Sequence, residues 1–452
     1  MPSVLWVCVI CIPGAFPFRK RTTNGRLGTE RTVHPFRKLL TVAPSYVGMA
    51  RLPGIDPPEQ VVCHVDMDCF YAACERLREP DLVGEPLVVG MGYERGETHG
   101  AVATASYEAR EYGVQSAMSI SEALERLPRR IDADDPEDTG FYRPVDMEFY
   151  ESISEAVRSV LDDAAETVRI VSIDEAYLDL DGISWDGAAA FGRSLKRNIE
   201  TESGVRASVG IAPDMTTAKL ASDADKPDGL VVVEPGEVAR FLEPIAVESL
   251  HGVGPVTAET LDGMGFDTAG DIAAADPSAL VEAFGERGRE LYARARGEDD
   301  RTVEPRGRPK SLSAESAFVD ATVDPERKRE TIETLSTDVS DRASAKDALY
   351  KTIGIKVVVP PFEVHTRSRS LPGPVDDPEL VGTVAAELLA EFADDPVRKL
   401  GVRLSNLSFD EREQATIEAW ERDESGAGTD PFETRRYGER RPRRQTELSR
   451  FE

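Results

Sequence analysis

The sequence predicts a mixed α/β (α+β) fold in several domains, and three features predict it. A β-type run, V-V-C-H-V-D from Val61, is followed at once by the helical F-Y-A-A-C-E-R-L and then by the strand-like P-L-V-V-G. Residues 311–409 read in the order βαββαβ. The length of 452 residues, 40% of them hydrophobic, exceeds the roughly 100 to 200 residues of a single domain.

In chain order, the first 48 residues stand apart. They carry seven bases (Arg19, Lys20, Arg21, Arg26, Arg31, Arg37, Lys38) against one acid, Glu30, and are expected to lie outside the fold as an upstream extension. The apolar stretch Val4 to Ile12 lacks a basic segment before it, which makes it a poor signal peptide. After the opening strand, helix and strand, helical patterns follow at Ser106–Tyr112 and Ser119–Arg126, and Asp132–Asp138 reads as an acidic loop. A helix over Asp146–Leu161 leads to V-R-I-V-S-I and A-Y-L-D-L, which pair as a hairpin. A helix near Trp185–Glu200 and the strands A-S-V-G-I-A and G-L-V-V-V complete this unit. Residues 234–300 are mostly helical, with turns at Gly252, Gly254, Gly263 and Gly265, and Arg301–Lys310 with its two prolines is a linker. Then come a strand (Ser311–Val319), a helix (Pro325–Arg342), two strands (Thr352–Val359, Val364–Leu371), a helix (Pro378–Phe392) and a strand (Val402–Phe409). From Asp410 the polar, Gly-rich text reads as unfolded until a partner orders it.

Composition restricts the setting. Acids outnumber bases, 83 to 54, for a formal charge of −29, and only 11 of the 54 cations are Lys. That profile points to a cytoplasm at high salt, where a Debye length of about 3 Å near 1 M screens the self-repulsion. No apolar run reaches the roughly 18 to 20 residues that span a bilayer. The five cysteines complete neither a secreted framework nor a zinc site and read as reduced thiols. Net charge by itself argues against a nucleic-acid partner, but local cations decide the field at a cleft.

The first strand ends in H-V-D-M-D-C-F-Y and the hairpin carries S-I-D-E, so acids at strand ends can bring three carboxylates together, as hard divalent cations require. Asp68, Asp179 and Asp181 read instead as solvated acids. Tyr107 and Arg110 stand at i and i+3, on one face of a helix. In L-H-G-V-G-P-V-T-A-E-T-L, Gly252 and Gly254 allow the backbone and the next helix N-terminus to approach a phosphate.

H-V-D-M-D-C-F-Y-A-A-C-E, A-V-A-T-A-S-Y-E-A-R-E-Y-G-V, V-S-I-D-E-A-Y-L-D-L, V-G-I-A and K-L-A-S-D-A-D-K-P-D-G occur in this order. Together they closely resemble the Y-family DNA polymerases of the DNA polymerase IV branch, from about Val61 to Phe409, and the acidic composition suggests a halophilic archaeon. The resemblance implies a right-hand polymerase: palm at 60–70 and 130–233, fingers at 71–129, helix-hairpin-helix thumb at 234–300, linker at 301–310, little finger at 311–409 and a flexible tail at 410–452. It implies template-directed, low-fidelity addition of dNTPs to a primer 3′-end, bypass of lesions, and two Mg²⁺ ions held by Asp66, Asp174, Glu175 and the Met67 carbonyl. Those ions would lower the charge on the primer 3′-hydroxyl and on the leaving pyrophosphate, so that no protein residue need be an obligate base.

The same resemblance assigns Tyr107, Arg110 and Lys226 to the incoming triphosphate, with Phe70 and Thr104 in the same substrate site, and gives Tyr71 the place beneath the deoxyribose. Gly100, Ala101 and Ala103 lie over the nascent base pair, and no second set of acids reads as a proofreading exonuclease. Gly252, Gly254, Lys356, Arg367, Arg369 and Arg403 are expected to contact primer–template DNA. At the C-terminus, Gln445, Leu448 and Phe451 follow the spacing Q-x-x-L-x-x-F, which resembles the peptide that docks on sliding clamps. The chain is expected to be a cytoplasmic monomer that uses no membrane. Two other readings remain, a palm-type nucleotide cyclase and a non-catalytic scaffold bound to clamp and DNA. The first has no use for thumb, little finger or template, and the intact acids and phosphate-binding residues argue against the second.

Overall fold

The computed structural model describes residues 60–409. Extension, clamp peptide and tail, with Gln445, Leu448 and Phe451, lie outside the described residues. The first elements are β1 (Val62–Met67), α1 (Phe70–Arg78), β2 (Leu87–Gly90), β3 (Val102–Ala105), α2 (Tyr107–Glu111), α3 (Ile120–Arg126) and β4 (Phe141–Arg143). Next come α4 (Met147–Ala164), β5 (Thr167–Ile170), β6 (Glu175–Asp179), α5 (Trp185–Ser203), β7 (Ala207–Ala212), α6 (Met215–Ala224) and β8 (Leu230–Val232). A helical segment follows, with α7 (Val238–Leu242), α8 (Pro255–Gly263), α9 (Ala269–Ala274), α10 (Pro277–Phe284) and α11 (Glu286–Ala295). The last unit holds β9 (Ser311–Thr322), α12 (Pro325–Ser344), β10 (Leu349–Val359), β11 (Glu363–Val375), α13 (Pro378–Leu389) and β12 (Val397–Ser408).

The central sheet has the order β5-β6-β1-β7-β8. Its middle strand, β1, is antiparallel to both neighbours and covered on both faces, which explains its run of apolar residues without polar alternation. Cys63, Val65 and Met67 pack with Tyr150 and Val157 of α4 and with Leu195 and Ile199 of α5. Val62 turns the other way, into a core shared with Ala218 and Ala221 of α6 and with Leu261, Leu280 and Leu291 of the helical segment. That segment therefore has no separate core: it closes over the α6 side of the central sheet.

A smaller sheet, β3-β2-β4, stands beside this unit. Phe141–Arg143, which the sequence places with the central unit, pairs in parallel with β2. The linker has no regular structure, yet it is tied down: the Arg306 guanidinium donates to the Val171 carbonyl (3.0 Å), and Arg169 donates to that of Glu304 (3.4 Å).

The C-terminal unit is the expected βαββαβ, folded into a sheet of order β11-β10-β12-β9 with α12 and α13 on one face. Lys328 of α12 is only 1% exposed, and its ammonium donates to the carbonyls of Phe392 (3.0 Å), Ala393 (2.7 Å) and Asp395 (2.7 Å). Burial lowers its pKa, and Asp395, Asp394 and Asp324 oppose that. Lys328→Met is expected to remove three hydrogen bonds, one of them to the carbonyl of the buried Phe392, and to destabilise this unit by about 1.5 to 3 kcal/mol. Thermal unfolding in molar KCl checks it; a melting temperature equal to that of the parent would contradict the cage.

Candidate active site

Strand alternation places Val62, His64 and Asp66 on the α6 face of β1. The register sets Asp66 opposite Glu175, the first residue of β6, and the Met67 amide donates to the Asp174 carbonyl at 2.9 Å. Three acids thus meet at one end of the sheet. The turn before β6 is braced by Ser172, whose hydroxyl donates to Asp174 Oδ1, and by Ser154, which donates to the Ile173 carbonyl, both at 2.5 Å.

Helix α6 supplies the balancing charge. Lys226, just past its end, lies 2.7 Å from Asp66 and 2.7 Å from Asp223, and Lys219 lies 2.5 Å from Glu175 Oε1. The helix comes this close because residue 210, opposite His64 on β7, is Gly: a Cβ there would fall on the Ala218 carbonyl and the Ser222 amide. Gly210→Ala is expected to push α6 outward and lower the catalytic rate by about tenfold or more, since misplacement by about 1 Å is costly. Single-turnover incorporation measures this; a parental rate would rule the close approach out as a requirement.

Burial raises the pKa of Asp66 against the pull of Lys226, and raises that of Asp174, to which Asp66 and Glu175 add their like charges. Glu175 is also buried, which pushes it up, but His64 and Lys219 outweigh that and hold it at about 2. Among the described residues no three carboxylate, imidazole or thiol groups form a ready-made metal cage. The donor set nonetheless fits a divalent cation: hard oxygens, mutual repulsion between buried acids, and positive charge already drawn to them.

The residues expected to bind the triphosphate begin on α2 and β3. The Tyr107 hydroxyl donates to Asp68 Oδ1 at 3.2 Å, and Arg110 lies 4.9 Å from the Tyr107 ring centroid while donating to the Ala105 carbonyl at 3.1 Å. Thr104 sits on β3, opposite Val89. Asp68, expected as a solvated acid, is instead 8% exposed, because it accepts from Tyr107, from Ser208 (2.8 Å) and from the Asp228 amide (2.7 Å). It thereby ties α2 to the loop that carries Lys226. Asp179 is far from the site, at the other end of β6, and Asp181 is exposed.

Tyr71 is partly buried and stacks on Tyr150, with centroids 4.6 Å apart and 17° between planes. Phe70, expected in the substrate site, is 2% exposed and packs in the core with Cys74, one helical turn on. Two residues that touch the acids, His64 and Lys219, were missed. Both had signals: His64 precedes Asp66 by two along a strand, and Lys219 lies in the helical stretch that leads to Lys226.

With this geometry in hand, comparison with known proteins is decisive. The impB/mucB/samB family model matches residues 65–223 and the model of that family's C-terminal domain matches residues 309–417. A DNA polymerase IV of Halobacterium salinarum is 61% identical over 380 residues, covering 84% of this chain and 92% of the relative. This chain belongs to the Y-family of DNA polymerases, DNA polymerase IV branch. A DNA polymerase IV of Methanoculleus marisnigri is 41% identical over 361 residues, or 79% of this chain and 98% of that one. A solved Y-family DNA polymerase chimera, Dbh-Dpo4(243-245)-Dbh, matches with a TM-score of 0.67 at 27% identity over 77% of this chain and 100% of its own. The Y-family chain is accordingly a DNA-directed DNA polymerase of the translesion type with a right-hand architecture, and the family's chemistry depends on divalent metal. Its acidic composition is that of a halophilic archaeal protein.

The Y-family thumb and little finger hold the remaining candidates. Gly252, at φ +90°, and Gly254 form the hairpin before α8, and α11 grips it: Arg287 donates to the Gly252 carbonyl (3.1 Å) and Arg294 to that of His251 (3.0 Å). No side chain caps α8, whose amides begin beside Val256, 78% exposed. In the little finger the register separates the four expected DNA contacts. Lys356 and Arg403 lie on the sheet face away from the helices, with Lys399 and the acid Glu315, which bridges Lys356 (3.2 Å) and Lys399 (2.5 Å). Arg367 and Arg369 pair with Ile355 and Ile353, on the helix-covered face, where they bind Glu391 (2.5 Å) and Glu387. Among the described residues no helix is long and apolar enough to cross a membrane.

Proposed function

We propose that this polymerase adds deoxynucleotides to a primer with Asp66, the Met67 carbonyl, Asp174 and Glu175 holding two Mg²⁺ ions. The observation that carries this is the pairing of Asp66 with Glu175, with Asp174 bonded to Met67 beside them and two lysines drawn against the acids. When bound, the ions lower the charge on the primer 3′-hydroxyl and on the leaving pyrophosphate.

The chain's own residues do the placing. Lys226 exchanges Asp66 for a phosphate oxygen once the dNTP enters, and Arg110 leaves the Tyr107 ring to hold the triphosphate with a planar fork. Asp68 keeps α2 and the Lys226 loop in one arrangement meanwhile. Tyr71 lies under the sugar, with Thr104 nearby, and the small residues Gly100, Ala101 and Ala103 leave the nascent pair loosely enclosed. Primer–template DNA lies against the Gly252–Gly254 hairpin and the open little-finger face with Lys356, Lys399 and Arg403. Arg367 and Arg369 reach DNA only by releasing their glutamates. The domain limits given above, a monomeric state and a cytoplasmic location belong to the same reading.

Gln445, Leu448 and Phe451 hold the enzyme on a sliding clamp. Deleting Gln445–Glu452 is expected to leave distributive extension intact and to abolish stimulation by the clamp; parental clamp affinity in calorimetry would refute this. Primer extension with and without Mg²⁺ and template tests the whole reading. A cyclase would convert nucleoside triphosphate without template, and a scaffold would bind DNA without extending it.

A further inference from the structure

His64 has no part in the scheme above, yet it touches the site. It is 0% exposed, packed edge-on against Tyr177 (centroids 4.5 Å apart, planes at 61°). Its Nε2 lies 2.8 Å from Glu175 Oε1 and its Nδ1 lies 2.7 Å from Ser222 Oγ. An ionised carboxylate oxygen only accepts, so Nε2 carries a hydrogen and donates. Lys219 donates to the same oxygen at 2.5 Å. Both protein donors are thus concentrated on Oε1, which leaves Oε2 for a cation. On the far side the ring is anchored to α6: with the hydrogen on Nε2, Nδ1 accepts from the hydroxyl of Ser222, a residue of that helix. The absent side chain of Gly210 is what lets α6 come close enough to serve as that anchor.

We infer that His64 is a positioning residue: it locks the Glu175 carboxylate so that Oε1 faces the protein and Oε2 alone meets the divalent cation, and in this way it sets the metal affinity of the site. The inference rests on Glu175 being a metal ligand. An outer hydrogen bond of this kind fixes a ligand's orientation and typically carries about 10- to 100-fold in metal affinity. A histidine that only filled the core would be replaceable by any side chain of similar volume.

The test uses the full chain bound to primer–template and a non-hydrolysable dNTP in molar KCl, with Mn²⁺ as the probe followed by electron paramagnetic resonance. His64→Leu fills the space without a donor, His64→Asn reaches Ser222 but not Glu175, and His64→Gln carries an amide donor out to Glu175. The Leu and Asn variants are expected to weaken Mn²⁺ binding about tenfold or more and to raise the Mg²⁺ needed for half-maximal incorporation in parallel, with the rate at saturating metal much less affected. The Gln variant is expected to stay within about threefold of the parent. Parental Mn²⁺ affinity in the Asn variant, or a Gln variant as weak as Asn, overturns the inference; the Asn–Gln comparison holds even if the Leu variant fails to fold. Glu175→Ala, measured alongside, separates the two levels. If it keeps Mn²⁺ affinity and activity, the Glu175 assignment itself falls. If it loses both while His64→Asn keeps parental binding, only the role of His64 falls.

Discussion

Asp174→Asn is expected to lower primer extension about a thousandfold or more, roughly 4 kcal/mol of barrier, while DNA affinity stays at the parental level. The amide keeps the shape of the side chain and still accepts from the Ser172 hydroxyl, so the turn before β6 is preserved. What it removes is a charge that the fold does not welcome. Burial, with Asp66 and Glu175 adding like charge, raises the Asp174 pKa, and a carboxyl whose folded pKa lies above its unfolded one makes the fold less stable once it ionises. The melting temperature of the Asn variant in metal-free buffer is therefore expected to be no lower than the parent's. Loss of activity with undiminished stability is the signature of a site acid kept for chemistry. Asp66→Ala and Glu175→Ala should be as inactive; Glu175→Ala strands both Lys219 and His64 and should also be less stable, whereas Lys226 keeps Asp223 when Asp66 is removed. Near-parental extension by all three variants would remove the site assigned here.

The strand that begins the site was readable because β1 is covered on both faces, which forces the apolar run V-V-C-H-V up to the first acid. Strand ends collect acids, and S-I-D-E after a β-type run was readable for the same reason. The register that sets Glu175 against Asp66 was not, because antiparallel pairing is decided by the whole sheet. For the same reason His64 was visible only as a polar residue in an apolar strand; its partners lie 111 and 158 residues away in sequence. Phe141–Arg143 went unread as a strand because three residues carry no period, and only pairing with β2 makes them one. Arg367 and Arg369 share parity with the buried Leu371, so their side of the sheet was legible in principle. Reading it required knowing that α12 and α13 both cover that face. Asp68 went the other way: a chain this acidic makes any single acid look solvated, and only the three donors converging on it show otherwise.

Tyr71→Ala is expected to admit ribonucleotides, lowering the preference for deoxyribonucleotides about a hundredfold or more, close to 3 kcal/mol of discrimination. Discrimination by a ring against one added oxygen requires that the ring cannot retreat, and the packing around Tyr71 supplies that. The ring stacks nearly parallel on Tyr150, which is fully buried and whose hydroxyl donates to Glu75 Oε1 at 2.7 Å. Glu75, itself 2% exposed, belongs to the same helix α1 as Tyr71, so the chain of contacts closes on its own starting element. A ring held in this way would meet a 2′-hydroxyl as a wall. Tyr71→Phe keeps the stack and should keep the selectivity, whereas Tyr150→Leu leaves Tyr71 in place without its support and should relax selectivity in part. Single-turnover incorporation of matched deoxyribonucleotide and ribonucleotide in the three variants measures this order. Selectivity unchanged in Tyr71→Ala would sink the gate, and selectivity unchanged in Tyr150→Leu alone would show that α1 holds the ring without help from the stack.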